Sequence, residues 1–130
     1  MTKIIIVDDQ NSIREFLKIN LSTETDIEVV GMADNGRSAI AQVGEHQPDL
    51  VLMDIEMPVM DGLEATQRIL SGRHRPKVVF VTAHALATFH ARAVEAGGCG
   101  FLTKPINLDK LVSAFSSIDL HMGCRQLRIA

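Results

Sequence analysis

Three stretches of the chain are apolar without a break: Ile4-Ile5-Ile6-Val7, Leu50-Val51-Leu52-Met53 and Val78-Val79-Phe80-Val81. A strand that meets water on one face alternates apolar with polar residues. A strand covered on both faces has no reason to alternate, so these runs predict buried strands over Lys3 to Val7, Asp49 to Met53 and Lys77 to Thr82. Ile27 to Met32 predicts a further strand, and Glu28 inside it suits a sheet edge. Cys99 to Leu102 is a fifth, shorter candidate.

Between these runs the apolar positions fall at helical spacing. Ile13, Phe16, Leu17 and Leu21 mark one helix, with Ser12 and Glu15 placed as a capping box. Ala39, Ile40 and Val43 mark a second, opened by the Asn35-Gly36 turn signal. Asp61 and Glu64 are placed to cap a third around Leu63 to Leu70. A fourth runs from about Leu86 to Ala96 and stops at Gly97-Gly98, which suits a left-handed terminus. Leu108, Leu111, Phe115 and Ile118 mark a fifth, with Asn107 as its cap.

Strand then helix, five times over, predicts an α/β fold: a parallel sheet with helices on both faces, joined by right-handed crossovers. The 130 residues suit one domain, read as residues 1–120, with 121–130 a short C-terminal tail or the start of a linker. Met1 leads directly into the first strand, which reads as a true start, whereas the end at Ala130 reads equally as a truncation. The net charge of −3 gives no footprint for nucleic acid or an anionic membrane. No apolar stretch reaches the length of a membrane span. Cys99 and Cys124 make no metal or CxxC pattern, so reduced thiols in a cytoplasmic protein are expected.

Open parallel sheets bind ligands beyond the carboxyl ends of their strands. There the sequence places Asp8 and Asp9 after the first strand, Asp54 after the third, Thr82 at the end of the fourth and Lys104 just past the fifth. Neighbouring carboxylates raise one another's pKa unless a cation lies among them. Mg²⁺ suits such hard oxygen donors, and a lysine nearby completes a site for a phosphoryl group. Asp54 could then attack phosphorus and become an aspartyl phosphate, with Thr82 donating to a phosphoryl oxygen.

With these residues go the stretches Met53-Asp54-Ile55-Glu56-Met57-Pro58-Val59-Met60-Asp61-Gly62, Val81-Thr82-Ala83 and Phe101-Leu102-Thr103-Lys104-Pro105. Together they make the chain, from about residue 3 to 118, resemble the receiver domains of two-component response regulators. The resemblance implies a flavodoxin-like (βα)5 fold with strand order 2-1-3-4-5. It implies Asp54 as phosphoacceptor from a sensor histidine kinase or phosphotransfer protein. It implies Mg²⁺ held by Asp9, Asp54 and the backbone carbonyl of Glu56, with Asp8 acting through water. Lys104, before a cis peptide to Pro105, would pair with the phosphoryl group, Thr82 would move toward it, and Phe101 would rotate inward. As a phenylalanine, Phe101 could switch only sterically. Glu56 and His84 fall where receivers tune the lifetime of the acyl phosphate.

A receiver signals through the face of its fourth helix, fifth strand and fifth helix to a downstream partner or an output domain absent from this chain. Dimerisation through that face stays open. The expected role is a switch rather than an enzyme, with only self-phosphorylation and slow autodephosphorylation. A haloacid dehalogenase-type phosphatase would want an aspartate where Glu56 stands. A flavodoxin would not put Asp8-Asp9 against a phosphate, and the chain has no Trp or Tyr to stack on a flavin. The remaining alternative is a receiver-like interaction module that works without phosphorylation.

Overall fold

The computed structural model describes residues 1–24, 26–84, 86–117 and 128–129. In chain order the elements are β1 (Thr2–Val7), α1 (Asn11–Leu21), β2 (Ile27–Ala33), α2 (Gly36–His46), β3 (Leu50–Asp54) and α3 (Gly62–Leu70). They continue with β4 (Lys77–Thr82), α4 (Leu86–Ala96), β5 (Gly100–Thr103), α5 (Leu108–Ser117) and β6 (Arg128–Ile129). The sheet order is β2-β1-β3-β4-β5-β6, with every pair parallel. The order 2-1-3-4-5 therefore stands, extended by one short strand on the β5 edge.

The unbroken apolar runs became strands because both faces of the sheet are covered. Ile5, Val7, Val51, Met53, Val78, Phe80 and Phe101 pack with side chains of α2, α3 and α4. Ile4, Ile6, Leu50, Leu52, Val79, Val81 and Leu102 pack on the other face with Leu17 and Leu21 of α1 and Leu111 of α5. All five residues of β3 are buried, whereas β2, interrupted by Glu28, lies at the edge and is mostly half-buried.

Several helix boundaries follow the expected chemistry. Asn35 accepts from the Ser38 amide and Asp61 from the Glu64 amide, each satisfying an orphan donor of a first turn. Asn107 accepts from the Lys110 amide at 3.2 Å, and Gly97 closes α4 at φ +94°. The Ser12–Glu15 box does not form. Helix α1 begins two residues earlier than that box requires, at Asn11, and its cap Gln10 makes no side-chain bond. The Gln10 carbonyl instead takes the amides of both Ile13 and Arg14 at 3.2 Å, so Ser12 is already inside the helix.

The C-terminal stretch departs from expectation in two ways. Residues 128 and 129, read as tail, pair with Gly100 and Phe101 as β6. Cys99, 3% exposed at the foot of β5, is disulfide-bonded, which overturns the expectation of two reduced thiols. The chain returns to the β5 edge after α5, a long-range event that cysteine spacing does not announce. Ile118, the remainder of the tail and Cys124 lie outside the described residues.

Candidate functional site

The carboxyl ends of β1, β3, β4 and β5 converge because parallel pairing keeps the strands in register. Asp54, the last residue of β3, stands opposite Val81 of β4, and Thr82 opposite Thr103 of β5. The Lys104 amide donates to the Thr82 carbonyl at 2.7 Å, carrying the β4–β5 ladder one residue past the strand. The Asp8 amide does the same with the Ala33 carbonyl at 3.1 Å. Asp8 and Lys104 thus sit on backbone fixed by the sheet, although both lie just beyond it. The Lys104–Pro105 peptide is cis, as the resemblance implies.

Glycine at position 62 lets α3 start close against the end of β3. A Cβ there would lie 2.0 Å from the Asp54 carbonyl oxygen, and the Gly62 amide donates to the Ile55 carbonyl at 2.7 Å. The intervening loop is tight enough to hold Val59 at φ +71°, with the residue 73% exposed. A β-branched residue is rarely found in that left-handed region.

The site gathers four of the expected charges. One carboxylate oxygen from each of Asp8, Asp9 and Asp54 lies within 4.8 Å of the others. Asp8 and Asp54 are buried, at 2% and 4% exposure, while Asp9 is exposed. The Lys104 ammonium approaches Asp8 Oδ2 at 2.8 Å and Asp54 Oδ2 at 3.4 Å. Burial, then the charge of Asp8, pushes the Asp54 carboxyl from 3.8 up to about 7, with a smaller push from Asp9, against the opposing pull of Lys104. Burial pushes Lys104 down, but its hydrogen bond to Asp8 and the charges of Asp54 and Asp8 outweigh this, and its pKa is raised.

One ammonium cannot neutralise three carboxylates, and the surplus negative charge adds to burial, the larger cause, in lifting Asp54. That set of hard oxygens, with an exposed side at Asp9, fits Mg²⁺ by chemistry and by spacing. All of these acids and the lysine are legible at the strand ends, whereas the preference of Lys104 for Asp8 is not.

Around this centre the remaining expected residues take up definite places. Thr82 is 1% exposed, and its hydroxyl accepts from the His84 amide at 3.1 Å. His84 Nε2 meets Glu56 Oε1 at 2.8 Å, tying the loop after β3 to the loop after β4. The His84 ring also meets Phe89 edge-on, with centroids 5.7 Å apart. Phe101 is already inward at 1% exposure, packed in the cluster that holds Phe80 and Phe89. Arg14 escaped the sequence reading. It donates from Nη1 to the Asp8 carbonyl at 2.7 Å and from Nη2 to Asn11 Oδ1 at 3.1 Å. Its place in the first turns of the helix that follows the acidic pair was the available signal.

Comparison with known proteins bears on the family and the fold. The family model of the response regulator receiver domain matches residues 4–116. The chain is 39% identical over 123 residues to the transcriptional regulatory protein LnrK of Bacillus subtilis, covering 95% of this chain and 55% of that protein. It therefore spans about half the length of that relative. Chemotaxis protein CheY of Listeria monocytogenes is 37% identical over 114 residues, covering 88% of this chain and 95% of that protein. Among solved structures, a LuxR-family two-component response regulator from Aurantimonas sp. SI85-9A1 superposes with a TM-score of 0.86 at 30% identity, covering 98% of this chain and 89% of that one.

Proposed function

The chain belongs to the response regulator receiver family, whose domains are phosphorylatable signalling switches, and we propose that Asp54 is its phosphoacceptor. The observation that carries this reading is the Lys104 ammonium set between two buried carboxylates, with Asp9 beside them, at the carboxyl edge of the sheet. In the reaction an oxygen of ionised Asp54 forms a bond to phosphorus while the P–N bond of a donor phosphohistidine breaks. The imidazole leaves with that electron pair and takes up a proton. Lys104, free to swing between Asp8 and Asp54, follows the new negative charge, and the buried Thr82 hydroxyl donates to a phosphoryl oxygen.

Mg²⁺ would be held by Asp9, Asp54 and the Glu56 carbonyl, with Asp8 acting through water. Bound there, it supplies charge neutralisation for the carboxylates and the phosphoryl oxygens. The donor is a sensor histidine kinase or a phosphotransfer protein. The output runs through the face of α4, β5 and α5 to a protein partner or to a further domain. LnrK, by name, regulates transcription and CheY serves chemotaxis, so either kind of output fits this receiver. The role is signalling rather than turnover of a diffusible substrate. A cytoplasmic setting goes with that donor, although the disulfide at Cys99 is unusual for a reducing compartment. Among the described residues no helix is long and apolar enough to cross a membrane.

The test is intact mass after incubation with acetyl phosphate and Mg²⁺, with Asp54→Asn and a chelator as controls. One phosphoryl group, lost in the variant and without metal, is expected. A protein that takes no phosphoryl group and binds no beryllofluoride would instead be a module that works without phosphorylation.

A further inference from the structure

Resting on the reading of Asp9 as a cation ligand, we propose that Arg14 is a positioning residue for the divalent-cation site, acting through the peptide that joins Asp8 to Asp9. Asp8 is held at every polar atom. Its amide donates to Ala33, its carbonyl accepts from Arg14 Nη1, its Oδ1 accepts from the Gln10 amide at 2.9 Å, and its Oδ2 meets Lys104. Asp9 is the opposite case. It is exposed, and among the described residues no hydrogen bond holds its carboxylate.

With no such bond, what the fold fixes for Asp9 is the direction in which its Cα–Cβ bond leaves the backbone. The Asp8 carbonyl and the Asp9 amide share one rigid peptide plane, so turning that plane changes the torsions on either side and with them the start from which the Asp9 side chain reaches the cation. Arg14 grips the plane by its oxygen. The other arm of the same guanidinium is tied to Asn11, so the fork spans the end of β1 and the start of α1. Arg14 is half-buried and donates to a peptide oxygen rather than to a carboxylate. It fixes the acids while leaving all three to the cation. A lysine, a point charge on a flexible stem, cannot reproduce both contacts of a planar fork.

Groups that orient metal ligands from outside typically change metal affinity by about 10–100-fold when removed. Mn²⁺, titrated into the metal-free protein and followed by electron paramagnetic resonance, measures this directly. Arg14→Ala is expected to bind Mn²⁺ about ten-fold or more weakly than wild type, with Arg14→Lys in between. Thermal melts of the metal-free variants confirm folding, and Arg14→Lys carries the test should the alanine variant fail to fold. A merely structural role is separated by repeating Arg14→Ala in an Asp9→Asn background. With the carboxylate gone there is nothing left to aim, and the loss should shrink to about two-fold or less.

Arg14→Ala binding Mn²⁺ as wild type does, or losing the same factor in the Asp9→Asn background, overturns the proposal. A wild type that binds no Mn²⁺ would sink the metal site and this inference with it. A wild type that binds, beside an unchanged Arg14→Ala, would sink this inference alone.

Discussion

Replacing Asp54 by asparagine keeps its shape and removes its charge, and should stabilise the metal-free protein progressively as the pH rises. The carboxyl is 4% exposed and titrates at about 7 in the folded protein against 3.8 when free. A group whose folded pKa is raised holds its proton more tightly in the folded state. The stability this gives is complete below about pH 3.8 and is lost as the pH climbs through about 7. At about 1.36 kcal/mol per pH unit, the interval between 3.8 and about 7 sets a ceiling on the order of 4 kcal/mol. Water entry from the Asp9 side and the lost contact with Lys104 both reduce that figure.

The working expectation is therefore that Asp54→Asn gains about 1–3 kcal/mol over wild type at pH 8, and little at pH 4. That corresponds to a rise in melting temperature of roughly 3–10 °C. Melts followed by circular dichroism in a chelator, from pH 4 to 8, measure the gap at each pH. Excess Mg²⁺ should then close it by stabilising wild type alone, because a cation that binds only the folded site adds stability by mass action. A gap that stays flat across the pH range, or an asparagine variant less stable than wild type at pH 8, would refute the account of the site as an uncompensated acidic cluster.

Two further outcomes follow from the loops that frame the site. Val59→Gly should stabilise the fold by up to about 1 kcal/mol, since a residue without Cβ sheds ~1–2 kcal/mol of strain in the left-handed region while glycine costs about 0.5–1 in the unfolded chain. Urea unfolding checks it, and a lower midpoint for the variant would show that the valine is not strained. Glu56→Ala and His84→Ala, each breaking the 2.8 Å bridge, should each speed loss of the phosphoryl group several-fold while hardly moving stability, because exposed ion pairs contribute about 0–1 kcal/mol. Decay of the phosphorylated mass reads this, and two variants that decay at the wild-type rate would remove both residues from control of the lifetime.

The sequence by itself determined the first five strands and the five helices, their order, and which acids and lysine stand at the strand ends. The reason is local: apolar runs and helical spacing report whether each residue faces core or solvent. In a parallel sheet, strand ends are also site positions. That is why Asp8, Asp9, Asp54, Thr82 and Lys104 were legible, and why β2 with its Glu28 was legible as an edge. Cap chemistry was legible at Asp61 and Asn107, where a short polar side chain meets its own first turn, whereas Asn35 was legible only as part of a turn.

It misled at Ser12, where the backbone of Gln10 satisfied the first turn instead. What only the tertiary structure decided are pairings between distant segments. These include Lys104 lying nearer Asp8 than Asp54, His84 meeting Glu56, and the guanidinium of Arg14 closing on the Asp8 carbonyl. The return of the chain to the β5 edge, where β6 forms and Cys99 is oxidised, is a pairing of the same kind. Pattern fixes the direction in which a side chain points, whereas its partner depends on what the fold carries to that spot and on which rotamer then fits.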